Sequence, residues 1–177
     1  MNKIEIQKDL FMVEENKYGD KYREHLLEQY KLYVESANKI SDRRQKNNDF
    51  FFTINTFLLA IFGFISRQVE NKPTFMIALV SIAGILVCYF WYRIIRSYKD
   101  INTGKFKVIH LIESKLPLAL FDAEWNVLGK GQNQKLYLPF THIEMKIPWV
   151  FIVFYLIVFL WNMPWAGIIS FFCGICK

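Results

Sequence analysis

The sequence predicts an all-α membrane protein, and three observations carry this prediction. Hydrophobic residues make up 53% of the 177-residue chain, which contains only five prolines. They are concentrated in three stretches without charged residues, 50–66, 75–92 and 149–176. The first stretch continues a charged segment with no intervening glycine or proline. Three such stretches buried in a soluble core would leave too little polar chain to cover them, so we interpret them as membrane spans.

The N-terminal part is predicted to be an arm followed by a long helix. Residues 1–19 show weak periodicity and are expected to form a flexible or short-helical arm, and Asp20 is a plausible N-cap for a helix over 20–49. Apolar and tyrosine side chains then recur every three or four residues, which is typical of a helix that packs along one side. That side contacts either neighbouring subunits or the protein's own cytoplasmic part. Its members are Tyr22, Leu26, Tyr30, Tyr33, Ala37 and Ile40.

The same helix is predicted to enter the membrane as a first span over 50–66. Asn55 lies inside this span, where a carboxamide needs a hydrogen-bond partner, so it should face other helices or a water-filled space. A subunit seam (the contact between neighbouring copies) and the lumen of an oligomer both satisfy that requirement. The residues predicted to line or pack this seam or lumen are Tyr30, Tyr33, Arg43, Arg44, Gln45, Asn48 and Asn55.

Basic residues predict the orientation of the chain. They cluster before the first span and after the second span (75–95), whereas the loop over 67–74 carries only Arg67 and Lys72, partly offset by Glu70. By the positive-inside rule, the N-terminus and the segment 96–148 are cytoplasmic and the C-terminus is outside. The net charge of +6 thus indicates anionic phospholipids rather than nucleic acid as partners. The predicted membrane-interface anchors are Trp91, Tyr92, Arg93, Arg96 and Trp149.

The cytoplasmic segment 96–148 is predicted to contain a helix over 101–116, whose start is weakened by residues 102–104 and whose end is set by Pro117. A helical turn over 121–125, a polar loop over 129–134 and a capping box from Thr141 to Glu144 follow. This segment is a candidate docking surface for a cytoplasmic sensor or partner. The docking residues that we expect are Lys105, Lys107, His110, Asp122, Glu124 and Trp125.

The third span is predicted over 149–172, with a kink near Pro164 and a tail over 173–177. Cys173 and Cys176 form a Cys-x-x-Cys in this apolar tail, which favours packing or an incidental disulfide over redox chemistry. Cys88 is expected to be a small packing residue within the second span.

No local pattern predicts catalysis. The three histidines lie far apart and lack neighbours at metal-ligand spacing, and no nucleophile has a supporting motif. The loop over 129–134 lacks the Gly-Lys-Ser/Thr ending of a phosphate-binding loop. We therefore expect no enzymatic activity, no cofactor and no metal.

Ordered short motifs on both sides of two spans carry a family resemblance. The stretches 30–34, 40–45, 51–52, 55–56, 91–92, 96–98, 105–110, 116–117, 122–125 and 139–144 resemble the RipA family of octameric bacterial membrane proteins. The resemblance covers roughly residues 26–160 and implies a homo-octamer in the cytoplasmic membrane, without supplying an activity. The basic helix that enters a two-span hairpin is also similar, more weakly, to SLATT effectors of bacterial defence, which are proposed to perforate membranes.

Two functions follow as hypotheses. In the first, the ring is a pore or membrane-perturbing effector, in stress or anti-phage defence, gated by the cytoplasmic segment. In the second, it is a membrane scaffold that docks a protein or lipids through that segment. A continuous polar lumen favours the first, and an apolar or lipid-filled lumen favours the second.

Overall fold

The computed structural model describes residues 3–68, 74–132, 137 and 139–163, and every regular element in these ranges is helical. Three regions, Tyr22–Arg67, Thr74–Glu113 and Phe140–Trp161, are long and apolar enough to cross a membrane. The predicted all-α membrane fold is confirmed. The helices are α1 Lys3–Leu10, α2 Glu15–Tyr18, α3 Tyr22–Gln68, α4 Thr74–Glu113, α5 Leu120–Val127, α6 Phe140–Glu144 and α7 Ile147–Trp161, with a 3-10 turn at Gly129–Gly131.

The chain divides into two compact units, and the two long helices contribute to both. We call residues 1–45 with 96–142 the polar unit, and residues 46–95 with 143–177 the membrane unit. Helix α3 runs for 47 residues through the junction of charged and apolar sequence. The continuity predicted for this helix is therefore present.

Helix α4 also continues where the sequence predicted a weak point. It runs for 40 residues through 102–104 to Glu113. The Thr103 hydroxyl donates to the Lys99 carbonyl oxygen at 2.9 Å, so it bonds along its own helix and does not compete with helical geometry. The next turn is fixed by packing, because Ile109 and Ile112 are buried. Tertiary burial thus outweighs the low helix propensity of Asn102 and Gly104.

The membrane unit is built around aromatic rings. Phe51 of α3 stacks on Trp91 of α4, with ring centroids 6.0 Å apart and planes at 9°. Phe151 of α7 meets the Trp91 ring at 6.1 Å, so all three helices share this cluster. Ile95, one turn beyond Trp91, completes the buried core.

A glycine sets the contact between α4 and α7. A Cβ built on Gly84 would lie 2.5 Å from the Tyr155 ring, so only glycine leaves room for that ring. Tyr155 is 1% exposed. Close approach at a small residue is a common way for membrane helices to pack.

Of the sequence predictions at the C-terminal side, one is tested by the structure and the others lie outside the described residues. The predicted capping box is wrong, because α6 begins at Phe140 and places Thr141 inside the helix. The Thr141 hydroxyl instead accepts a hydrogen bond from Arg44 at 3.1 Å. Helix α7 begins at Ile147, while Pro164, Cys173 and Cys176 lie outside the described residues.

We expect Gly84→Ala to destabilise the membrane unit. The added methyl group must displace the Tyr155 ring, and overpacking of this kind costs about 1–3 kcal/mol. Thermal unfolding of the detergent-solubilised protein followed by circular dichroism measures the loss. Gly104→Ala is the control, because its Cβ meets nothing within 4 Å and the change raises helix propensity. Equal melting temperatures for the two variants would contradict this packing.

Candidate functional site

The membrane unit contains a closed polar cluster centred on Asn55. Asn55 and Cys88 are fully buried. The Asn55 Oδ1 atom accepts hydrogen bonds from the Cys88 thiol at 3.1 Å and from the Tyr155 hydroxyl at 3.2 Å, while Nδ2 donates to the Phe51 carbonyl oxygen at 2.8 Å. One carboxamide therefore joins α3, α4 and α7, and both of its ends are bonded.

This geometry corrects the predicted role of Asn55. A side chain with no exposed area in its own protomer cannot line a lumen or touch a neighbouring subunit in this conformation. The partner that hydrocarbon requires is supplied within the protomer. Ser81, one turn before Gly84 on α4, is also buried, and its hydroxyl has no partner among the described residues.

The predicted anchor Trp91 is likewise an internal residue. It is 2% exposed, and its indole Nε1 donates to Asn48 Oδ1 at 2.9 Å. The anchor prediction is wrong here because Trp91 follows Cys88 by three residues and shares its inward face. The Tyr92 ring packs edge-on against the half-exposed Trp149 at 5.6 Å. Arg93 and Arg96 are exposed, so these four residues keep the exposure that interfacial anchors need.

The polar unit has a second cluster, at the buried carboxylate of Glu113. Its Oε1 accepts hydrogen bonds from the Tyr30 hydroxyl at 2.9 Å and from the Phe121 amide at 3.0 Å, and its Oε2 accepts from the Asp122 amide at 3.1 Å. Glu113 is 1% exposed. It therefore caps the N-terminus of α5 from the last residue of α4, with α3 supplying the third hydrogen bond.

Several predicted seam residues pack within this unit. Tyr30 binds Glu113, and the Tyr33 ring lies under the Lys105 ammonium at 4.4 Å from the ring centroid. Lys105 also donates to Ser36 Oγ at 2.8 Å. The tyrosine side of α3 thus contacts the protein's own α4, one of the two alternatives left open by the sequence. Arg43 and Gln45 are exposed.

The predicted docking residues fall into two groups. Lys105 is held internally, and His110 Nδ1 lies 3.5 Å from Asp122 Oδ1, a contact that becomes an ion pair when the imidazole is protonated. Lys107 and Glu124 are exposed, and Trp125 lies edge-on to Tyr137 at 6.4 Å. No group of His, Cys, Asp or Glu suited to holding a metal occurs within the described ranges.

Sequence reasoning missed Glu113 and Tyr155 as polar partners. Glu113 directly follows the apolar residues Leu111 and Ile112. An acidic residue at the end of an apolar run was the pattern that could have indicated a buried carboxylate. A cavity of about 260 Å³ in the polar unit was also missed, because its lining comes from α1, α2, α3, the α1–α2 connection and the end of α4. Its lining residues are Leu10, Phe11, Met12, Val13, Tyr18, Tyr22, His25, Leu26, Gln29 and Ile112.

Three apolar helices and a buried intramembrane polar cluster define a polytopic helical membrane protein. The sequence profile of the octameric membrane protein family (8xMP) matches residues 27–164, and the chain belongs to this family. No curated protein and no solved structure matches the chain. The family resemblance is therefore confirmed at the level of an octameric membrane protein family, while the narrower RipA likeness stays a prediction.

Replacing Asn55 by Leu should destabilise the membrane unit, because the buried Tyr155 hydroxyl and Cys88 thiol lose their acceptor. An unpartnered buried polar group costs about 1–3 kcal/mol. A double-mutant cycle with Tyr155→Phe, read by thermal unfolding, should show coupling between the two positions. Thr56→Val is the control, since that exposed hydroxyl bonds only to its own helix. Additive effects of Asn55→Leu and Tyr155→Phe would contradict the contact.

The Tyr30 hydroxyl should titrate later than an ordinary tyrosine. Burial, followed by the hydrogen bond to Glu113, raises the pKa of Tyr30 to about 12. Because the folded state keeps this proton longer, the associated stability is fully present below pH 10 and is lost as pH rises towards 12. Difference absorbance between the wild type and Tyr30→Phe during alkaline titration should show this late component. Glu113→Gln should shift it to lower pH, and a Tyr30 midpoint near 10 in the wild type would contradict the buried contact.

Proposed function

We propose that this protein forms a homo-octamer in the bacterial inner membrane and acts without catalysis as a pore or membrane-perturbing effector controlled by its polar unit. The observation that carries the proposal is the continuity of α3 and α4, each of which belongs to both units without a break. In this proposal, a change in the polar unit reaches the membrane unit along these continuous helices. Membership of an octameric family supports the ring.

The proposed orientation places the polar unit in the cytoplasm. The exposed Arg93 and Arg96, with the half-exposed Trp149, suit contact with anionic phospholipid headgroups at that surface. A cytoplasmic sensor or partner that binds the polar unit is the proposed trigger, as in a stress or anti-phage response. In this proposal, any conducting path runs between protomers, since Asn55 is closed within each one.

The α5 contact offers a way to test control by the polar unit. Removing the Glu113 carboxylate frees the Phe121 and Asp122 amides and loosens α5. Octamers carrying Glu113→Ala, reconstituted in liposomes of phosphatidylethanolamine and phosphatidylglycerol, should release an entrapped dye faster than the wild type. Glu124→Ala, a change at an exposed acid, should leave the release rate unchanged. If neither the wild type nor Glu113→Ala exceeds empty liposomes, the pore proposal fails.

A scaffold is the second candidate, and exposed apolar side chains around α5 favour it. Leu118, Leu120 and Val127 are 67%, 63% and 77% exposed, which is unusual beside a polar surface. If the protein is a scaffold, liposomes that contain it should retain their dye. A Leu118→Ser/Leu120→Ser variant should then still assemble but lose the protein's activity in cells. Dye release that is unaffected by this variant favours the effector instead.

A further inference from the structure

Helix α3 exposes two different surfaces along the outer side of its membrane part. The first is a ridge of large side chains spaced by seven residues, or about two helical turns, so that they lie nearly in line. Phe50, Phe57 and Phe64 form this phenylalanine ridge and are 57%, 66% and 66% exposed. The second is a groove of small exposed residues spaced by three or four, which we call the small groove. It consists of Thr53, Thr56, Ala60 and Gly63.

The small groove is open and has no unmet hydrogen bond from its threonines. The Thr53 and Thr56 hydroxyls donate to carbonyl oxygens of α3 itself at 2.8 and 2.9 Å. A Cβ built on Gly63 would meet nothing within 4 Å, so the protomer does not fill the groove there. Whatever covers the groove therefore has to match it in shape and needs no hydrogen-bonding group.

The ridge and the groove run side by side at the same depth. Phe57 directly follows Thr56, and Phe64 directly follows Gly63, so the two surfaces lie about 100° apart around the helix axis. Each phenylalanine thus has a groove residue within one helical turn of its own level. Both surfaces belong to one helix of the membrane unit.

A helix that faces only lipid has no need for this pattern. Lipid tails adapt to any apolar surface, whereas small residues are enriched where two membrane helices approach each other closely. Helix α7 provides the comparison within the same unit, because every exposed residue between 149 and 161 is Trp, Val, Phe, Leu or Ile. The small groove therefore indicates a helix, rather than lipid, as the neighbour of α3.

Membrane insertion restricts how copies of the chain can meet. If all copies cross the membrane in one direction, a closed ring of them has its rotation axis along the membrane normal, and each residue lies at one depth in every copy. Each contact in such a ring joins two different surfaces of the protomer at equal depth. The phenylalanine ridge and the small groove meet both conditions.

We propose that the phenylalanine ridge of one copy packs into the small groove of the next copy, so that α3 forms the contact of the octamer within the membrane. The occupant of the groove is a second copy of this chain, because the chain belongs to an octameric family and itself carries the matching ridge. Phe57 then lies against Thr56 and Ala60 of the next copy. Phe64 lies against Gly63 of that copy.

This interface rests on the octamer of the proposed function and not on conduction. Assays that read assembly alone therefore separate failure of the interface from failure of the pore.

Disulfide cross-linking in membranes tests the contact directly. Two differently tagged chains, one with Phe57→Cys and the other with Ala60→Cys, are co-expressed. Both chains also carry Cys173→Ser and Cys176→Ser, whereas the fully buried Cys88 stays in place. Oxidation with copper phenanthroline should join the two tags, because a disulfide bridges Cα atoms that lie within about 7 Å.

Each of these chains expressed alone is the matched control. It should form far fewer cross-links, because the ridge would have to meet a ridge, or the groove a groove. Absence of the mixed cross-link in membranes that contain the octamer overturns the proposal. Cross-links of equal yield in either chain alone overturn the pairing of ridge with groove.

An exchange of side-chain size tests the fit. Ala60→Phe fills the groove, and Phe57→Ala removes the ridge side chain at that level. Each single variant should lose the octamer in native mass spectrometry from nanodiscs, and the double variant should recover it, because the large and small members of the contact are exchanged. Melting of the detergent-dispersed protomer, followed by circular dichroism, should stay close to wild type, since both positions are exposed in it.

Phe75→Ala is the control for the exchange. It makes the same change at a 73% exposed position on α4 and should retain the octamer. Octamers that survive both single variants overturn the proposal and indicate that lipid covers this side of α3. Equal loss of the octamer in Phe75→Ala also overturns it, because the effect would then not be specific to the ridge.

Discussion

A carboxamide in hydrocarbon needs hydrogen-bond partners, and the arrangement of the three apolar helices follows from how Asn55 obtains them. Its oxygen accepts from α4 and from α7, and its nitrogen bonds back to α3. The Tyr155 hydroxyl reaches this oxygen only because Gly84 leaves room for the ring. The hydrogen bond between Tyr155 and Asn55 thus depends on the close contact of α4 and α7. A side chain at Gly84 would move the Tyr155 hydroxyl away from its acceptor.

The polar unit uses the same principle with a carboxylate. Glu113 accepts three hydrogen bonds and no described basic side chain pairs with it closely, so dipoles rather than a counter-ion stabilise the buried charge. These hydrogen bonds fix the geometry of the site, because the two α5 amides and the Tyr30 hydroxyl must all point at the Glu113 carboxylate. An ion pair between Glu113 and a lysine would place no such restriction on α5. The hydrogen bonds from the Phe121 and Asp122 amides to Glu113 hold α5 in one position.

The sequence was sufficient to predict the fold because the patterns that indicate membrane helices extend over many residues. Uncharged stretches of membrane length and the unbroken entry into α3 predicted the helices correctly. Side-chain roles were harder, because they depend on which helix face turns inward. From the sequence, Trp91 could be an interfacial anchor or an internal residue, and Asn55 could face a lumen or bond within the protomer. The positions of α4 and α7 decide between these roles. Glu113 could not be assigned, since its partners Tyr30 and Phe121 lie 83 and 8 residues away.

The two segments that form the polar unit are separated in the chain by two membrane crossings, and this has a consequence for biogenesis. Residues 1–45 leave the ribosome before residues 96–142, so Glu113, the hydrogen-bond partner of Tyr30, does not yet exist. The unit can close only after α4 has been synthesised. A nascent chain therefore exposes the Tyr30 side of α3 to the cell until residues 96–142 have been added to it.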